Sequence, residues 1–83
     1  MSSFDRNNTQ EKVFSIVINK LNIDAQLLEQ SSNFQDLGAD SLDMVEIIMK
    51  LEEEFAIEID DADAERLATL DEVIDYVHKK RKI

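Results

Sequence analysis

One glycine, Gly38, and no proline are all that punctuate a chain of 83 residues. Small β-barrels and sandwiches turn every few residues and rely on Gly and Pro to do so, which disfavours a sheet-based fold. A chain this short makes one domain, burying about 60–65% of the surface its unfolded form exposes. With no cysteine there is neither a disulfide framework nor a thiolate metal cluster, so packing alone must hold the core. Apolar runs stop at three residues, as in Ile16-Val17-Ile18, so neither a transmembrane helix nor a signal-peptide core is expected. A helical domain is what remains.

Periodicity locates the helices. Asn8, with Glu11 three residues on, has the spacing of a capping box. Val13, Phe14, Val17, Ile18 and Leu21 then recur at helical intervals, which predicts a helix over residues 9–20. Residues 22–40 lose the pattern and read as a long loop, with a turn of helix available after Asp24 and with Leu27, Leu28, Phe34 and Leu37 to pin it. A second helix runs from Asp40 or Ser41 to about Phe55. Asp60 and Asp63 can cap a short third helix ending at Arg66. Thr69 and Glu72 form a T-x-x-E capping box before Leu70, Val73, Ile74 and Val77, the stripe of a last helix. The expected fold is all-α, a small four-helix bundle with three longer helices, one short helix and a long first loop. Residues 1–8 are expected to be a flexible N-terminal extension, 9–80 the domain and 81–83 a basic C-terminal tail.

The second helix carries two apolar faces. At 100° per residue from Leu42, the side chains of Met44, Ile47, Ile48, Leu51 and Phe55 fall between about 140° and 240°, a core-facing stripe. Leu42, Val45 and Met49 lie apart, near about 300° to 360°, flanked by Glu46, Glu52 and Glu53. The second stripe either packs beneath the loop or another helix, or faces a partner. As a partner face it would yield about 1.5–3 kcal/mol for each side chain fully buried. Association costs consume much of that, giving short contacts that the acidic rim steers.

Charge narrows the partners. The chain carries 19 acidic and 9 basic residues, a net −10. Residues 36–65 hold twelve carboxylates against Lys50 alone, whereas Arg66, Lys79, Lys80, Arg81 and Lys82 make the last segment net positive. Such a field repels nucleic acid and anionic membranes and attracts basic protein surfaces.

Gly38 stands three residues before Ser41, at the start of the second helix, where it permits a positive-φ turn or close backbone approach. Ser41 then lies near a helix N-terminus that favours an anion. Taken alone, Asp40 or Ser41 is simply a helix cap. The whole stretch Asp36-Leu37-Gly38-Ala39-Asp40-Ser41-Leu42-Asp43, however, resembles the modification-site motif of acyl carrier proteins. The run Leu51-Glu52-Glu53-Glu54-Phe55-Ala56-Ile57-Glu58-Ile59 resembles the segment downstream of that motif in the fatty-acid-synthesis members, and the late Asp75-Tyr76 pair matches too.

This resemblance implies that a phosphopantetheinyl transferase modifies Ser41 with 4′-phosphopantetheine from coenzyme A. The arm's thiol would then carry acyl chains as thioesters between fatty acid synthesis enzymes bearing basic docking patches. Leu42, Val45, Glu46 and Met49 would form the recognised face, with Asp40 and Glu53 among its acidic contacts. Ile47, Leu51, Phe55, Ile59 and Leu67 would line the acyl-chain cavity. A monomer in the cytoplasm, with no membrane insertion, is expected; a processed organellar form has the same features. One departure stands out. The family's phenylalanine commonly lies five residues before the glycine, where this chain has Asn33, with Phe34 one later, so the loop is expected to pack differently over the core.

Other classes fit less well. Asp61, Asp63, Glu65 and Glu72 match positions 1, 3, 5 and 12 of a calcium loop, but Arg66 stands where that loop needs glycine. No metal site is expected. His78, the sole histidine, lies near a helix end, and the carboxylates read as a solvated face, so no enzyme is expected. The basic tail reads as a solvated helix end. An acidic interaction domain with an unmodified serine remains, as does a carrier for polyketide, aminoacyl or specialised lipid synthesis.

Overall fold

A computed structural model describes residues 5–30 and 33–81. Five helices succeed one another: α1 Arg6–Leu21, α2 Ala25–Gln30, α3 Ser41–Phe55, α4 Asp61–Arg66 and α5 Leu70–Lys80. The three longer ones are α1, α3 and α5, and α1 packs against both of the others. Val13 and Val17 of α1, Ile47 and Leu51 of α3, and Val73, Ile74 and Val77 of α5 are all buried where these helices meet. The expected core stripes of α3 and α5 are therefore the observed ones. Among the described residues the only β-pairing is an isolated antiparallel bridge between Asn33 and Thr69.

Two boundaries differ from expectation. The first helix begins at Arg6, with Asp5 as its N-cap, accepting from the Asn7 amide. Asn8 does not cap, because its side-chain oxygen accepts a hydrogen bond from Arg81 at the far end of α5. Of the expected N-terminal extension, residues 1–4 lie outside the described residues, while Asp5 to Asn8 form the cap and first turn. The second difference lies in the long loop, where the turn of helix allowed after Asp24 is the full helix α2, giving a second short element. It is held by Leu28, which is buried, and by Leu27 packed against the core.

The rest of the loop is tied down by its backbone. The amides of Leu37 and Ala39 both donate to the Phe34 carbonyl, and the Phe34 amide donates to Ala68. Asn33 makes a side-chain turn of its own, its Oδ1 accepting from the Gln35 amide at 2.8 Å. Phe34 is buried one residue later. Phe34 thus anchors the loop to the core.

With so little glycine, α1 and α3 end on residues forced into the left-handed region, Asn22 at φ 56° and Ala56 at φ 55°. In each case the next amide reaches back to the last turn: Ile23 to Ile18 and Ile57 to Glu52. Asparagine tolerates this conformation, but alanine is strained by it. Ala56 is exposed, so a glycine there loses no packing. Ala56→Gly is expected to raise stability by about 0.5–1 kcal/mol. The check is a higher urea midpoint with an unchanged slope, monitored by far-ultraviolet circular dichroism.

At the basic end of α5, Lys79 and Lys80 are exposed as expected, but Arg81 is not. Arg81 folds back, donating to Thr9 Oγ1 at 2.8 Å and lying 4.7 Å over the Phe55 ring. Thr9 is fully buried and its hydroxyl also meets His78 Nδ1 at 3.0 Å. Burial lowers the Arg81 pKa, an effect that Glu54 opposes. Residues 82 and 83 of the expected tail lie outside the described residues.

Candidate functional site

The head of α3 is built by three neighbouring choices. Gly38 adopts φ 87°, and a side chain built there would meet nothing within 4 Å, so its role is the positive-φ turn and not close approach. Asp40 is the N-cap: its Oδ1 accepts from the Asp43 amide at 2.8 Å, and Asp43 Oδ2 accepts from the Asp40 amide at 3.2 Å. This reciprocal pair takes the capping role from Ser41, which becomes the first residue of α3 and is exposed. The structure therefore separates the helix cap from the serine beside it.

Ser41 borders a cleft of about 660 Å³ between α3 and α4. Met44, Ile48 and Met49 line one side, and Ile59, Ala64 and Leu67 the other. Of the five expected cavity residues, only Ile59 and Leu67 are on this lining. Ile47 and Leu51 are fully buried in the packed core instead. Phe55 lies toward the other end of α3, where it lines a separate cleft of about 580 Å³ with Lys12, Lys80 and Arg81. The wheel that sorts the two stripes of α3 also holds the missing lining. Ser41 and Glu52 fall at about 260° and 280°, on the seam between the stripes, with Ile48 and Val45 at the edges of the two faces on either side.

The second stripe of α3 is uncovered. Leu42, Val45 and Met49 are 65%, 54% and 53% exposed, the large hydrophobic side chains most exposed among the described residues. They do not pack beneath the loop or another helix. Glu53 beside them is exposed, but Glu46 is partly engaged, forming an ion pair with Lys20 of α1. Asp40 is exposed too, its carboxylate occupied by the cap.

The far wall of the cleft, α4, is lightly held. None of its residues is buried. Asp60 stands at its N-cap position without a side-chain cap bond, and Asp63, the reciprocal partner expected for it, instead accepts from the Tyr76 hydroxyl at 2.7 Å. Burial and this carboxylate push the Tyr76 pKa up to about 12. The raised value favours the folded state below the ordinary tyrosine pKa of about 10, and that contribution is lost as pH rises toward the folded-state value. The spacing that resembled a calcium loop is not a loop: Asp61 to Arg66 are helical, and Glu72 Oε1 accepts from the Ala68 and Thr69 amides. Among the described residues no three acidic or histidine side chains converge as a metal site.

Residues 11–77 match the family model described as the phosphopantetheine attachment site. The chain is also 47% identical over 72 residues to the acyl carrier protein of Chlorobium phaeobacteroides, covering 86% of this chain and 92% of the relative. The chain belongs to the acyl carrier protein family. The acyl carrier protein of Buchnera aphidicola subsp. Schizaphis graminum is 49% identical over 77 residues, covering 92% of this chain and 98% of the relative. That of Nitratidesulfovibrio vulgaris is 45% identical over 73 residues, or 87% and 96%. Family members are non-catalytic carriers, and their cofactor is covalently attached 4′-phosphopantetheine. The head of α3 fits that group: an exposed serine, not consumed in capping, stands at a helix N-terminus beside a cleft whose walls combine apolar side chains with Glu52, Asp61 and Glu65. No helix among the described residues is long and apolar enough to cross a membrane.

Proposed function

We propose that this chain carries acyl intermediates of fatty acid biosynthesis on a phosphopantetheine arm attached to Ser41 Oγ. The observation that carries the assignment is the division of labour at the head of α3, where Asp40 caps the helix and Ser41 is left exposed. In the attachment step the Ser41 oxygen forms a bond to the β-phosphorus of coenzyme A. The bond to the departing adenosine 3′,5′-bisphosphate breaks, and the hydroxyl proton is lost. When attached, the arm supplies the thiol that this cysteine-free chain lacks, and the acyl group is held there as a thioester. The new phosphodiester charge is accommodated by the free N–H groups and dipole of α3.

Leu42, Val45 and Met49 form the docking ridge, with Glu53 at its acidic rim. The partners are a phosphopantetheinyl transferase and synthesis enzymes with basic patches. Their visits are brief, because three side chains of apolar contact are set against the cost of association. The carrier works as a monomer in the cytoplasm, and the cleft beside Ser41 shelters the acyl chain.

The test begins with coenzyme A, magnesium and a promiscuous phosphopantetheinyl transferase, and an intact mass higher by one phosphopantetheine is expected. The loaded chain is then given to a fatty-acid malonyl transferase and condensing enzyme, with elongation expected. A loaded chain that accepts no malonyl group would move the assignment to a carrier of polyketide, aminoacyl or specialised lipid synthesis.

A further inference from the structure

We propose that the hydrogen bond from Tyr76 to Asp63 is the catch that holds α4 against the bundle, and that it sets which acyl-chain lengths the cleft beside Ser41 accepts. This rests on the carrier function proposed above. Asp61, Ala64 and Glu65 put α4 on the cleft wall, yet none of its residues is buried. Segments with so little buried contact are the ones that open locally at low cost.

Both ends of the helix are fixed. Ile59 is buried just before it, with its amide donating to Glu52 Oε2 at 2.8 Å, and Leu67 packs against the core just after it. Between those points, the bond from the Tyr76 hydroxyl to Asp63 Oδ2, at 2.7 Å, is the one side-chain hydrogen bond among the described residues that joins α4 to another helix. Tyr76 is itself packed against the core, so it ties α4 to a rigid body. Its pKa, pushed up to about 12, keeps it a donor through the physiological range.

Chain length enters through a balance of two terms. Each methylene placed in the cleft adds a favourable increment, whereas displacing α4 to admit a longer chain breaks a hydrogen bond to a carboxylate. The chain length at which α4 yields is therefore set by the strength of the catch. Tyr76 acts on the cleft through α4 and is a positioning residue.

Tyr76→Phe keeps the ring and removes the donor. In the unloaded protein, amide exchange across α4 is expected to quicken by about tenfold, with α1 and α5 unchanged. The protein is then loaded with acyl groups from butyryl to myristoyl, and thioester cleavage by hydroxylamine is timed. The length of greatest protection is expected to rise by about two carbons in Tyr76→Phe. Asp63→Asn keeps an accepting oxygen but loses the charge, so it should shift the profile less than Tyr76→Phe does, whereas Asp63→Ala should behave as Tyr76→Phe does. Unchanged exchange in α4 overturns the catch, and faster exchange with an unmoved length optimum overturns its role in selection. A chain that takes no phosphopantetheine overturns the carrier function and the length inference together. Intact mass tells that result apart from a loaded chain with an unmoved optimum.

Discussion

Ser41→Ala is expected to take up no phosphopantetheine while remaining as folded as the parent. The expectation has two halves because the structure gives the cap to Asp40 and the first helical position to Ser41. Alanine is the best helix former, and Ser41 is exposed, so the stability change should stay within about 0.5 kcal/mol. Asp40→Ala is the counterpart: it removes the carboxylate that accepts from the Asp43 amide and should cost about 1 kcal/mol. Intact mass after transferase treatment and urea unfolding, measured on both variants, separate the two roles. Uptake by Ser41→Ala would place the attachment elsewhere. A large loss of stability would mean that the serine, and not Asp40, secures the helix.

Leu51→Ala is expected to be strongly destabilised, with a much lower urea midpoint than the parent. Leu51 is fully buried at the meeting of the long helices, and such truncations cost about 2–5 kcal/mol. A chain of this length has roughly 4–12 kcal/mol in total. Two residues earlier on the same helix, Met49 is 53% exposed, and its replacement by alanine should shift stability by less than about 0.5 kcal/mol. Met49→Ala should instead lower transfer to a partner enzyme by roughly tenfold, the loss of one interface side chain worth about 1.4 kcal/mol. Urea midpoints and transfer rates on both variants provide the check. If Met49→Ala unfolds the protein, or transfers at the parental rate, the ridge is not a docking face.

The helices with strong end signals are the legible part. The Thr69–Glu72 capping box and the stripe behind it fix α5 from sequence alone, and both hydrogen bonds of the box are present. The start of the first helix is misplaced by local rules because they compare caps only with their neighbours along the chain. Asn8 is a good local candidate, but its oxygen is taken by Arg81, 73 residues away, and Asp5 caps instead. The same long-range tie hides the behaviour of Arg81, which in sequence looks like one more solvated cation. At the site, periodicity separates the buried Ile47 and Leu51 from the exposed Leu42, Val45 and Met49. It cannot place the cleft, because a cleft is a relation between helices. Its second wall comes from α4, which is joined to α5 by a bond between Tyr76 and Asp63 that no spacing rule anticipates.

Gly38 is required for its lack of chirality and not for its smallness. Space is open around it for an ordinary side chain, yet φ 87° strains almost every L-residue. The turn that delivers the chain to Ser41 is thus a place where the mirror-image backbone is the comfortable one. A D-amino acid would adopt this φ as its natural state, and by narrowing the unfolded ensemble it would make the turn more rigid than glycine does.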